Sequence, residues 1–161
     1  LLKDNKLRCW GAISLMFTGL DLIQADKEGR EKTVQYLKDS VTFVKELDGE
    51  VMSIVPSEVG KVRAQADPKT EWKWAVQGLK EVYAHAQKEG VKIAIEPLNR
   101  FETNFISRAD QALALAKAVG PECGVCLDIF HMNIEEANWR QALMSAGDKL
   151  YDFHVADNNR M

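Results

Sequence analysis

The chain has 161 residues, 46% of them hydrophobic and 28% charged, which supplies a packed core and excludes a disordered chain. Its 21 Lys and Arg stand against 24 Asp and Glu, and the net charge of −3 excludes attachment to nucleic acid through a basic face. There is no run of about 18 apolar residues to span a membrane, and three cysteines make no disulfide framework, so the expected compartment is the reducing cytoplasm.

The first apolar run, residues 11–17, predicts a strand closed by Gly19. Over 31–47, Val34, Leu37, Val41, Val44 and Leu47 recur at spacings of three and four, which predicts a helix stopped by Gly49. Residues 51–55 predict a second strand, ended by Pro56. After a polar loop, Asp67 can cap a helix with Pro68 in its first position, and Trp72, Val76, Leu79, Tyr83 and Ala86 share its apolar face up to Gly90. The third strand, 91–96, stops at Pro97. Ser107 and Asp110 have the spacing of a capping box, and the helix they open carries Ala112, Leu113, Ala116 and Val119 before Gly120-Pro121. Residues 124–130 predict a fourth strand, 137–147 a short helix with Trp139, Leu143 and Ala146, and 151–156 a fifth strand.

Five strands alternating with four helices predict an α/β fold of right-handed, parallel βα repeats, in one domain over 1–161. A doubly wound sheet and an arc of a (β/α)8 barrel both fit. No Gly-rich phosphate turn follows the first strand, as it would in a doubly wound sheet. The polar residues gather instead at the C-terminal ends of strands, where barrels build their sites. A full barrel needs about 250 residues, so the expectation is a partial TIM barrel. The chain opens Leu1-Leu2-Lys3 without Met and ends Arg160-Met161, and it reads as an excerpt of a longer protein.

Three strand ends deliver ionisable groups: Glu96 to Glu102 after the third, Asp128 to Glu136 after the fourth, and His154 to Arg160 after the fifth. Strand alternation places Glu96 with Ala94 and Asp128 with Cys126 on one face, with Ile95 and Leu127 turned to the helices. A carboxylate closing an apolar run is costly unless it is paired or bound to a cation. Glu96, Asp128 and His154 would offer two oxygens and one nitrogen, a set suited to Mn²⁺, Mg²⁺, Co²⁺ or Zn²⁺. Singly, each has a plainer reading as a solvated rim Glu, a turn-capping Asp or a half-buried His. Their joint placement favours a site. His85 reads as surface, Lys61, Arg63 and Lys69 as a solvated loop, and Trp72 and Trp74 as helix packing. Cys123 and Cys126 lack the second pair of a zinc knuckle.

At these residues the sequence resembles the ketose 3-epimerases of the xylose-isomerase-like (β/α)8 barrels. The resemblance rests on Glu96-Pro-Leu-Asn-Arg-Phe-Glu102, Leu127-Asp-Ile-Phe-His-Met-Asn-Ile-Glu-Glu136 and His154-Val-Ala-Asp-Asn-Asn-Arg160, and it runs from residue 11 to the end. It implies barrel strands three to seven. It also implies one divalent metal, commonly Mn²⁺ with Mg²⁺ or Co²⁺ as alternatives, held by Glu96, Asp128 and His154. Glu102, His131 and Arg160 match the residues that hold substrate hydroxyls in such enzymes. The implied reaction is inversion of a ketose at C3 through a cis-enediolate, with Glu96 as one of two acid/base carboxylates. The second lies on the eighth strand in this family, and Glu135 and Glu136 are not credible substitutes for it.

Related sugar isomerases remain rivals: hydroxypyruvate isomerase, inosose dehydratase and sugar-phosphate 3-epimerases. The abasic-DNA endonuclease of the same superfamily fits poorly, because it needs more ligands and a basic DNA-facing surface. A barrel remnant that only associates with partners is the non-enzymatic alternative. Five parallel strands leave two open edges, so the chain is expected to form a homo-oligomer or to self-associate.

Overall fold

The computed structural model describes residues 1–157. Five strands, β1 (Gly11–Ser14), β2 (Val51–Ile54), β3 (Lys92–Ile95), β4 (Cys123–Asp128) and β5 (Leu150–His154), form one sheet in sequence order. Every neighbouring pair is parallel. The helices are α1 (Lys27–Glu46), α2 (Pro68–Glu89), α3 (Ala109–Val119), α4 (Ile129–Glu135) and α5 (Trp139–Ala146), with single 3-10 turns at Lys3–Asn5 and Gly147–Lys149. Parallel strands taken in order and covered by their crossover helices make a half-barrel.

Alternation along the strands sorts the apolar residues into two layers. Met52, Ile54, Ile93, Ile95, Val125 and Leu127 pack with Leu37, Val41 and Val44 of α1, Leu79 and Val82 of α2, and Ala112 and Leu115 of α3. The concave face carries a smaller cluster, Val51, Ala94 and Cys126, with Tyr151 laid against it. Each large side chain buried in the outer layer contributes about 1.5–3 kcal/mol. The concave face is left for polar chemistry.

Several boundaries differ from those the sequence suggests, each for a local reason. α1 begins at Lys27 because Asp26 caps it, accepting from Glu28 N and Gly29 N at 3.2 and 2.9 Å. Its end is turned by Asp48, whose φ is +57°, rather than by Gly49. The α2 cap is as expected: Asp67 accepts from Lys69 N and Thr70 N, Pro68 follows, and Gly90 closes the helix at φ +71°. α3 starts at Ala109, not at a Ser107–Asp110 box. Gln111 Oε1 accepts instead from Ser107 N and Arg108 N at 2.9 and 3.1 Å. β4 ends at Asp128, and residues 129–130, expected to continue the strand, instead open the helix α4. β1 stops at Ser14 because its register partner Ile54 ends β2 just before Pro56.

Among the described residues, β1 and β5 each pair on one side only. Ile13, Leu15 and Phe17 on or just after β1, and Phe153 and Val155 at β5, are the exposed apolar side chains of these edges.

Candidate active site

The three strand ends converge on the concave face. Glu96 follows β3, and its N–H donates to Ile54 O at 2.9 Å, which carries the extended backbone one residue further and keeps its side chain on the face of Ala94. Asp128 closes β4 and stands in register with His154, the last residue of β5. His154 Nδ1 lies 3.3 Å from Glu96 Oε1 and 4.0 Å from Asp128 Oδ2. Asp128 also caps α4, its Oδ1 accepting from Phe130 N at 2.7 Å. One carboxylate thus starts a helix with one oxygen and faces the imidazole with the other.

Burial dominates the electrostatics of Glu96, which is only 1% exposed. It raises the carboxyl above its ordinary range, against the opposing pull of the His154 hydrogen bond. The hydrogen bond to Glu96 lifts the His154 imidazole to about 9, although partial burial works against the charge. Glu96 Oε2 is buried with no hydrogen-bond partner. A buried carboxylate oxygen without a partner is costly, and it suits a cation ligand. Ligand atoms of Glu96, Asp128 and His131 lie within 4.8 Å of one another, as do those of Glu96, Cys126 and His154.

Around this centre stand further residues that strand ends alone do not mark. Asp152 Oδ2 is 3.3 Å from His154 Nε2 and accepts from Ser53 Oγ at 2.9 Å. The spacing of two in Asp152-Phe153-His154 was a usable signal, since it puts both on one strand face. Cys126 Sγ lies 3.6 Å from His154 Nδ1, and burial pushes its thiol far up, so it is protonated.

Glu102 and His131 sit in the loop after β3 and in α4. Asn99 joins them: its Nδ2 donates to Glu102 Oε1 at 2.9 Å and lies 2.8 Å from His131 Nδ1, which also accepts from Asn99 N at 3.1 Å. With Nδ1 accepting, the proton of the neutral ring is on Nε2. Arg160 lies outside the described residues. Glu135 and Glu136 are engaged in structure, Glu135 with Arg100 Nε and Nη2 at 2.9 Å each and Glu136 with Ala109 N at 2.7 Å.

The loop carrying Glu102 is strapped from below, and here the solvated-loop expectation fails for Lys61. Its ammonium pairs with Asp21, and both side chains are largely buried, at 11% and 1% exposure. The adjoining backbone bonds run from Gly60 N to Glu102 O and from Asn104 N to Lys61 O. Glu71, buried on α2, adds a second tie by accepting from Gln65 N and Asn104 Nδ2. His85 is half-buried rather than a surface residue, with Nε2 2.9 Å from Thr42 Oγ1 between α1 and α2. Trp72 packs on Phe105, and Trp74 lies under Arg30.

The family model described as the xylose isomerase-like TIM barrel matches residues 1–161. The L-ribulose 3-epimerase of Mesorhizobium japonicum is 30% identical over 141 residues, which cover 87% of this chain and 48% of that protein. The D-psicose 3-epimerase of Ruminiclostridium cellulolyticum is 32% identical over 146 residues, or 87% and 49%. Among solved structures, the D-allulose 3-epimerase of Methylomonas sp. in complex with D-allulose superposes with a TM-score of 0.91 at 26% identity, covering 99% of this chain and 55% of that one. The chain spans about half the length of the curated relatives it matches.

Proposed function

The chain belongs to the xylose isomerase-like TIM barrel family, and from that premise we propose that it carries one half of a metal-dependent ketose 3-epimerase site. The observation that carries this reading is Glu96: a buried carboxylate, one oxygen unpartnered, set beside an imidazole where three strands end. Glu96, Asp128 and His154 would hold one divalent cation, for which Mn²⁺ is the first choice and Mg²⁺ or Co²⁺ the alternatives. When bound, the cation supplies Lewis-acid polarisation of the ketose oxygens flanking C3.

The rest of the chemistry belongs to side chains of this chain. The Glu96 carboxyl, buried and raised above its ordinary range, is suited to take the C3 proton and to return it. Glu102 offers a carboxylate and His131 an Nε2–H to substrate hydroxyls, and Asn99 orients both. Arg160 is the third hydroxyl partner proposed from the sequence. Inversion needs an acid/base group on the other face of C3, and the eighth strand supplies it in the family this chain resembles. The substrate is a small ketose, and a reducing cytoplasm suits the three free cysteines.

Solvent exchange tests the reading. D-Fructose, D-tagatose or L-ribulose is incubated with the protein and Mn²⁺ in D₂O and followed by NMR. The expected result is deuterium at C3, abolished by chelator. Deuterium at C1 instead would assign aldose–ketose isomerisation, and no exchange with any ketose would leave a barrel without this chemistry.

A further inference from the structure

Building on the reading of these strand ends as a cation centre, we propose that Cys126 gives the centre a second set of ligands, in which its sulfur joins Glu96 and His154 around a thiophilic divalent cation such as Zn²⁺. Strand alternation puts Cys126 on the concave face with Asp128, two residues earlier on β4. The side chain is fully buried, and its Sγ lies 3.6 Å from His154 Nδ1, whereas Asp128 Oδ2 lies 4.0 Å from the same nitrogen. The imidazole thus stands nearer to the sulfur than to the second carboxylate. Ligand atoms of Glu96, Cys126 and His154 all fall within 4.8 Å of one another.

The separations are those that a tetrahedral cation imposes on its ligands. Bonds of about 2.1 Å to nitrogen and oxygen set those two atoms about 3.4 Å apart, and a bond of about 2.3 Å to sulfur sets nitrogen and sulfur about 3.6 Å apart. In the protein, His154 Nδ1 is 3.3 Å from Glu96 Oε1 and 3.6 Å from Cys126 Sγ. Glu96 Oε2, buried and unpartnered, independently calls for a positive partner here. Space filling accounts for a small apolar side chain beside Val51 and Ala94, but not for a sulfur set against an imidazole. Zn²⁺ takes sulfur and nitrogen donors readily, whereas Mn²⁺ and Mg²⁺ favour oxygen. A hard cation would therefore draw on Asp128 and a soft one on Cys126, with Glu96 and His154 common to both, so the two cations compete. The thiol releases its proton to solvent as it ligates. Three protein ligands leave a tetrahedral cation one position for water or a substrate oxygen.

Co²⁺ is the probe, because a cobalt–thiolate bond gives a near-ultraviolet charge-transfer band that oxygen and nitrogen ligands do not. The reduced parent protein, Cys126→Ser and Cys123→Ser are titrated with Co²⁺, and Mn²⁺ binding is followed in parallel by electron paramagnetic resonance. The expected result is the band in the parent and in Cys123→Ser, bleached by Zn²⁺, and its loss in Cys126→Ser, which keeps parental Mn²⁺ affinity. A parent without the band would overturn the proposal, a result read with no variant at all. So would a band that persists in Cys126→Ser. A parent that shows the band but binds no Mn²⁺ would sink the hard-cation reading and leave Cys126 as a ligand; Mn²⁺ bound with no cobalt–thiolate band would do the reverse.

Discussion

His154 gathers more of the site's electrostatics than any other side chain, with Glu96 on one nitrogen and Asp152 on the other. Its pKa, near 6.5 in an ordinary setting, is raised to about 9 by the Glu96 hydrogen bond. A raised basic group stabilises the fold fully below about 6.5 and loses that contribution as pH climbs through 9. Chelator-treated protein should therefore lose urea resistance between those pH values, and His154→Gln should flatten that part of the profile; a parent midpoint constant with pH would contradict this. Glu96, Asp128 and His154 are legible in sequence because strand alternation and apolar runs locate strand ends. Asp152 was equally accessible through its spacing of two from His154. Lys61 was not, since its partner Asp21 lies forty residues away and the contact exists only in the fold. Removing one member of such a pair strands a buried charge, so Lys61→Met should cost about 3–5 kcal/mol in chemical denaturation. A loss under about 1 kcal/mol would mean that the strap below Glu102 carries no weight.

Among the elements, the β4–β5 ladder shifts register between Val125 and Cys126 and brings Tyr151 close against Gly124. A Cβ on Gly124 would overlap both the ring of Tyr151 and the backbone carbonyl of Lys149. Gly124→Ala should force Tyr151 off the sheet, cost about 1–3 kcal/mol by overpacking, and weaken Mn²⁺ binding by disturbing Asp152 and His154. A variant with parental stability and affinity would show that the ring and the Lys149 backbone both give way without disturbing the site. The order of strands and helices was readable from hydrophobic period alone. α4 was not, because the run from Gly124 to Phe130 is apolar on both sides of Asp128, and the Asp128 cap turns its last two residues into the start of a helix. α1 was shortened for the complementary reason: its first turn is polar, so apolar spacing begins late, whereas Asp26 already signals the start.

The whole molecule is a half-barrel with a packed helix layer outside and a polar site within. The apolar side chains Ile13, Leu15 and Phe17 flank one edge, and Phe153 and Val155 the other. Unpaired parallel edges of this kind bind further strands, and the chain by itself should sediment as oligomers whose size grows with concentration. A monomer at every concentration would show that the edges are protected. Three strand ends making one cation centre can be checked by Mn²⁺ titration of the parent and of Glu96→Gln, with free ion read by electron paramagnetic resonance. The expected result is one tightly bound ion per chain in the parent and none in Glu96→Gln; a parent that binds no Mn²⁺, or a variant that binds it as the parent does, would overturn the assignment of this centre.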